Sequence, residues 1–381
     1  MSRAEALCYY RAFHVRNGLC WRGRREDRPV PTSKMKALRK AQAARGARIE
    51  TVSIPDVGPF DALIRVRAAS ICGTDLHIYG WSDWAKRHIH PPLTFGHEFC
   101  GVVETVGAEV ASLAPGDFVT AEMHLNCGHC LPCRMGLGHI CQQLKIIGID
   151  LDGCFAEFVR IPAGNVWKVD PEIPPHYAAV MDPLGNAVHT VLAGPIAGQT
   201  VAVTGCGPIG LMAISVARAC GSSTLVATEV NAGRRDLAMK MGADAAIDPG
   251  QGDPVARVKE MTGGAGVDVL LEMSGHPDAI RQGLAMLRPG GRASLLGIPK
   301  EPISLDLYAD VIGKGIVVQG ILGRRMFGTW VEMTALLKNG RLTLDPLFQE
   351  RLPLESFAEA FEMLEKGSAN KVLLCPDGPL D

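Results

Sequence analysis

The chain has 381 residues, a formal net charge of −1, 47% hydrophobic residues and 21% charged residues. That balance suits a soluble globular protein with room for two cores, and it lacks the basic field that would draw nucleic acid or an anionic membrane surface. No apolar run approaches the ~20 residues of a membrane span; the best candidate, 178–197, is broken by Asp182, Asn186, His189 and Pro195.

Residues 1–34 hold Arg3, Arg11, Arg16, Arg22, Arg24, Arg25 and Arg28 with few acids and no sustained periodicity. They are expected to form a disordered extension, although an Arg-rich, acid-poor leader also fits an organelle transit peptide. From about 47 to 120, β-rich runs such as 62–68 and 101–107 alternate with Gly and Pro turns, which predicts a compact barrel-like domain. Two groups of metal-type residues fall in this stretch, Cys72-Gly73-Thr74-Asp75-Leu76-His77 and Gly96-His97-Glu98. Together they offer a thiolate, an imidazole and a carboxylate, the mixed set of a catalytic zinc with an open position. His97 and Glu98 are adjacent and would face opposite ways on a regular strand, so both reach one metal only from a turn or in alternation with water.

Cys127, Cys130, Cys133 and Cys141 follow at gaps of three, three and eight. Four sulfurs so spaced can converge on one tetrahedral ion, with Zn²⁺ the natural occupant. Such close neighbours fit disulfide geometry badly. The chain carries twelve cysteines in all; the remainder show no pairing pattern, which points to a reducing cytoplasm. Glu157 reads as structural, and His124, His129 and His139 as surface residues beside a site that four cysteines already complete.

From about 180 to 322, strands alternate with helices, the signature of a doubly wound parallel sheet. An apolar run at 200–204 enters Gly205-Cys206-Gly207-Pro208-Ile209-Gly210 and leaves as a helix. Gly205 makes the tight turn, Gly207 admits a pyrophosphate, and Gly210 lets helix and strand pack closely. The helix N-terminus offers free N–H groups to the phosphates. The next strand, 224–228, ends at Glu229, where a ribose-binding acid belongs. Cys206 reads as a small buried residue. Further strands are predicted at 267–272, 292–297 and 316–320, with a helix near 277–287. Beyond Phe327 come two helical patterns and a strand at 371–374.

Two zinc-type clusters and a dinucleotide fingerprint in this order resemble the zinc-dependent medium-chain dehydrogenase/reductase superfamily. Within it the resemblance is to the L-threonine 3-dehydrogenase family, from Met35 to about Cys375. The more specific stretches are Ile71 to Tyr79, Trp81-Ser82-Asp83-Trp84, Asp182 to Thr190, and Gly323 to Trp330. The usual family start resembles Met35-Lys36-Ala37-Leu38, so a misassigned start codon is a further reading of residues 1–34.

The resemblance implies an α/β protein: a GroES-like β-barrel catalytic domain (35–180 and 323–381) with a structural-zinc lobe (about 122–145), and a Rossmann NAD-binding domain (181–322). It implies two Zn²⁺ per chain, one held by Cys72, His97 and Glu98 and the other by the four clustered cysteines. Thr74 and His77 would relay the proton outward, His suiting that task by its reference pKa. Asp182 would act as a carboxylate near the metal. NAD would meet Gly205, Gly207, Ile209, Gly210, Glu229, Arg234, Leu296, Gly297, Ile298, Ile321 and Leu322, Arg234 softening the repulsion of a 2′-phosphate by Glu229. The expected reaction is oxidation of L-threonine in the cytoplasm by a homotetramer. Arg324 and the segment around Trp81 are where the substrate's charges are expected, while His189, Trp84 and Trp330 shape the pocket or an interface. The competing readings are another zinc polyol or secondary alcohol dehydrogenase, of sorbitol or butanediol type, and a non-catalytic zinc-ribbon protein with a nucleotide-sensing fold.

Overall fold

The computed structural model describes residues 33–378. The expected extension at 1–34 therefore lies outside the described residues, apart from Ser33 and Lys34; Lys34 already opens a strand. Among the described residues, no helix is long and apolar enough to cross a membrane.

The first half is β-rich. Strands β1 (Lys34–Lys40) and β2 (Arg48–Ser53) form an antiparallel pair, and β3 (Asp61–Ser70) follows. Helices α1 (Gly73–Gly80) and α2 (Asp83–His88) lead to β4 (Leu93–Thr94), β5 (Phe99–Val106) and β6 (Phe118–Ala121). A small hairpin, β7 (His124–Leu125) with β8 (Lys145–Ile146), brackets the short helix α3 (Leu131–Arg134). Strands β9 (Phe158–Pro162) and β10 (Val166–Lys168) then return to the main sheet. β3 is apolar on both faces, with Ala62, Leu63, Ile64, Val66, Ala68 and Ala69 all buried. It accordingly pairs on one side with β5 and on the other with β9 and the chain's final strand.

Helices α4 (Pro175–Ala178) and α5 (Met181–Val191) connect to the second half. There β11 (Thr200–Thr204), α6 (Pro208–Ala219), β12 (Thr224–Thr228), α7 (Ala232–Lys240), β13 (Ala245–Ile247), α8 (Pro254–Met261), β14 (Val267–Glu272), α9 (Pro277–Met286), β15 (Leu287–Leu295) and β16 (Val317–Gly320) alternate. The helix starts are chemically marked: the Asn231 side chain accepts from Arg234 N at 3.0 Å, and Asp253 from Val255 N at 2.9 Å. The strands are parallel in the order β13-β12-β11-β14-β15-β16. Order reverses between β11 and β14, which opens a crevice at their carboxyl ends, the usual ligand position in such sheets. Helix α10 (Gly328–Lys338), β17 (Phe348–Pro353), α11 (Phe357–Glu365) and β18 (Lys371–Cys375) complete the chain. β18 runs beside β3, with Leu373 opposite Ser70, so the tail is part of the first half's sheet.

Candidate metal centres and cofactor crevice

The mixed cluster is built from the end of β3 and the segment between β4 and β5. Cys72 is the N-cap of α1, and its N–H donates to Asp75 Oδ2 at 2.8 Å. That bond fixes the direction in which the Cys72 side chain leaves the strand. Gly96, at φ +94°, makes the turn that precedes His97; a Cβ there would lie 2.6 Å from the Phe155 ring. Residues 95–98 are irregular, not strand, so adjacent His97 and Glu98 can turn to the same side. One ligand atom each from Cys72, His97 and Glu98 lies within 4.8 Å of the others.

This place is dry and electronegative. His97 and Glu98 are buried, and Asp75 Oδ1 stands 3.6 Å from His97 Nδ1. Burial would lower the His97 pKa, but the charges of Asp75 and Cys72 outweigh it and push it up to about 10. Such a pocket favours positive charge, which a bound metal ion would supply in place of the imidazole proton. Glu98 Oε1 has no hydrogen-bond partner among the described residues, which fits a carboxylate oxygen left for a metal, while His97 Nδ1 and Asp75 Oδ1 face each other. The sequence reading missed Asp75 and Lys371. Lys371, at the start of β18, pairs with Glu98 Oε2 and donates to the Ile71 carbonyl at 3.1 Å. Thr74 Oγ1 is 3.9 Å from Cys72 Sγ, and His77, three residues on along α1, is exposed.

The four clustered cysteines converge. Cys130 Sγ is 3.4 Å from Cys133 and 3.8 Å from Cys141, and Cys127 is 4.0 Å from Cys133. A tetrahedral Zn–S₄ centre has sulfurs about 3.8 Å apart, so the set fits zinc. Backbone N–H groups of Cys127, Cys130 and Gln143 donate to these sulfurs at 3.2–3.4 Å, stabilising thiolate charge. Gly128 and Gly136, at φ +75° and +77°, turn the chain around them.

In the crevice, Gly205 has φ +90°, and a Cβ on it would lie 2.8 Å from Ser274. A Cβ on Gly210 would meet the Gly205 carbonyl oxygen. Gly207 caps α6, and Pro208 and Ile209 open its first turn. Glu229 is placed at the end of β12 and braces the turn: it accepts from Cys206 N at 2.8 Å and from Asn231 N at 2.9 Å. Arg234 Nε reaches Asn370 Oδ1 at 3.2 Å, tying α7 to the start of β18. Cys206 is fully buried; burial and Glu229 push its thiol up to about 12. Leu296 N and Gly297 N donate to the Glu272 carbonyl. Ile298 is 81% exposed and Leu322 56%, whereas Ile321 is buried.

Arg324 is where the sequence reading fails. It is 1% exposed and is already bound: Nη1 donates to Asp182 Oδ2 at 2.9 Å, and Nη2 to Asp182 Oδ1 and Glu122 Oε1. It therefore pairs with two protein carboxylates and does not await one from the substrate. Glu122 also accepts from Trp330 Nε1 at 2.9 Å and meets His124 Nδ1 at 2.8 Å. Burial alone would raise the Glu122 pKa, but Arg324, His124 and Trp330 hold it down to about 2. Gly185 leaves the room, since a Cβ there would be 2.6 Å from Arg324 Cδ. His189 Nδ1 meets the Gly323 carbonyl at 2.9 Å, with the His139 ring edge-on at 5.4 Å. His139 is buried and His124 half-buried, so neither is the surface residue expected. Near Trp81, Lys40 Nζ sits 5.0 Å over the indole.

Residues 58–171 match the alcohol dehydrogenase GroES-like domain family, and residues 208–339 the zinc-binding dehydrogenase family. The chain is 48% identical to the L-threonine 3-dehydrogenase of Bacillus licheniformis, across 90% of this chain and 99% of that protein. It is 46% identical to the L-threonine 3-dehydrogenase of Thermococcus kodakarensis, across 90% and 98%. The crystal structure of 2R,3R-butanediol dehydrogenase from Bacillus subtilis superposes with a TM-score of 0.82 at 31% identity, covering 90% of this chain and all of that one.

Proposed function

Because this chain belongs to the L-threonine 3-dehydrogenase family, we propose that it oxidises the β-hydroxyl of L-threonine to L-2-amino-3-oxobutanoate with reduction of NAD. The observation that carries the dehydrogenase chemistry is the thiol–imidazole–carboxylate cluster of Cys72, His97 and Glu98 in a chain that also has a dinucleotide crevice. Bound at these places, zinc supplies Lewis acidity to the substrate hydroxyl, and NAD supplies the ring that accepts hydride.

The chain's own residues do the rest. Cys72, His97 and Glu98 hold the catalytic ion, and Asp75 orients the imidazole of His97. The hydroxyl proton leaves by the Thr74 hydroxyl and the exposed His77 ring, which delivers it to solvent. Gly205, Gly207, Ile209 and Gly210 receive the dinucleotide's phosphates, and Glu229 the ribose hydroxyls, with Arg234 beside it. Leu296, Gly297, Ile298, Ile321 and Leu322 border the nicotinamide end. Asp182, locked to Arg324, sets the field beside the metal. Cys127, Cys130, Cys133 and Cys141 hold a second, structural zinc, making two per chain, and such a set of thiols suits the reducing cytoplasm.

The first half (35–180 with 323–381) acts as catalytic domain and 181–322 as cofactor domain. Assembly into a homotetramer would use the exposed edge strand β16 for one of its contacts, since Val317 and Val318 are 62% and 41% exposed there, a surface suited to pairing with a second copy. The test is NAD reduction over a panel of alcohols. Catalytic efficiency with L-threonine should exceed that with 2,3-butanediol or sorbitol by at least about two orders of magnitude; a diol that wins would overturn the substrate assignment.

A further inference from the structure

Lys371 is an unusual neighbour for a metal ligand. It is 2% exposed, and a buried ammonium needs strong partners. It has two: the carboxylate oxygen Oε2 of Glu98 and the carbonyl of Ile71, the residue before Cys72. The strand pairing explains how it arrives there, for Ile71 N donates to the Val372 carbonyl at 3.2 Å and Ser70 N to the Glu98 carbonyl at 2.8 Å. One ammonium thus joins the two segments that supply all three side chains of the mixed cluster. It occupies one oxygen of Glu98 and leaves Oε1, which has no hydrogen-bond partner among the described residues, to face the cluster.

We propose that Lys371 is a positioning residue that shares the Glu98 carboxylate with the metal and so keeps it a weak, exchangeable ligand. The sharing drains charge from the carboxylate, because an ammonium at hydrogen-bond distance competes for the same electron density that a metal would use. Without Lys371, Glu98 is buried beside the metal with no other cation among the described residues bonded to its carboxylate, and Glu98 then binds the metal fully. This inference rests on the mixed cluster being a zinc site.

The test is zinc release from the holoenzyme to a chromophoric chelator, with the four-cysteine site as internal reference. Lys371→Met should slow release from the mixed site by at least about tenfold and leave the four-cysteine phase unchanged. Adding Glu98→Gln to Lys371→Met should abolish that slowing, and Lys371→Arg should restore the wild-type rate. Cobalt(II) substituted into the mixed site should show altered visible bands in Lys371→Met and not in Lys371→Arg. Unchanged or faster release in Lys371→Met would overturn the proposal, as would slowing that survives the Glu98→Gln change. Should Lys371→Met fail to fold, Lys371→Arg and Glu98→Gln in the wild-type background decide: the first must match wild type, and the second must change the release rate of the mixed site alone. A wild-type protein that holds zinc only at the four cysteines would overturn the metal reading itself.

Discussion

The two candidate metal centres differ in how far their parts travel. The four-cysteine set comes from one short stretch, with two left-handed glycines and local N–H···S bonds making the cage. The mixed set draws on the end of β3, the turn before β5 and the start of β18. A local cage is a folding device, because closing it fixes its own backbone. A cage assembled by the sheet exists only once the sheet has formed, and it can then lose a ligand without losing the fold.

That contrast gives the largest expected effect. Cys130→Ser should deplete zinc from the local cage and lower the melting temperature or the yield of assembled protein, since the metal's binding energy there is folding energy. Cys72→Ser should abolish turnover by at least about a thousandfold with a far smaller change in melting temperature. Metal analysis, thermal denaturation and single-turnover NADH formation on both variants check the pair. Equal destabilisation by the two would erase the difference between the two centres.

A second comparison concerns charges buried by the sheet. Arg324 is paired with both Asp182 and Glu122, so Arg324→Met leaves two buried carboxylates without their cation and should cost about 3–5 kcal/mol in denaturant unfolding. The same network sets an acid limit. The Glu122 pKa is depressed in the folded protein, to about 2 from the ordinary 4.5. Its contribution is therefore fully present above pH about 4.5 and is lost as pH falls through the folded value, a swing of roughly 3 kcal/mol. Glu122→Gln should be less stable at pH 7 and flatter between pH 5 and 2. A parallel pH dependence in the two proteins would move the acid sensitivity elsewhere.

What the sequence makes legible follows the same division. The central parallel strands β11, β12 and β14 are buried and largely apolar, and they lie at the predicted positions. The glycine turn and the cysteine cage are written in consecutive residues, and so are the two pieces of the mixed cluster. What is not legible is what the sheet adds from afar. Lys371 and Glu122 are ordinary charged residues in the sequence, and nothing near them signals burial. Asp75 had a local signal, an acid three residues after Cys72 at a helix start, where it caps the Cys72 N–H. Arg324 was misjudged because an arginine in a family-specific segment suggests a ligand contact, whereas its partners come from 122 and 182, some two hundred and some one hundred and forty positions away in the chain.

The smallest expected effect tests whether a local motif can serve two ends. Glu229 stands where a ribose-binding acid belongs, yet its two oxygens also accept from Cys206 N and Asn231 N. The first bond braces the glycine turn and the second the start of α7, so the carboxylate orders the crevice as well as recognising the sugar. Glu229→Ser should raise KM for NAD while leaving kcat nearly unchanged, because ribose contacts are made equally in the ground and transition states. It should also narrow the NAD over NADP ratio by about tenfold, near 1.4 kcal/mol, as the charge that repels a 2′-phosphate is gone. Arg234 is one turn away and bonded to Asn370, so Arg234→Ala in the same background should return part of the preference. An unchanged ratio with a raised KM would assign Glu229 to the turn alone, and the ribose would have to be read by another residue.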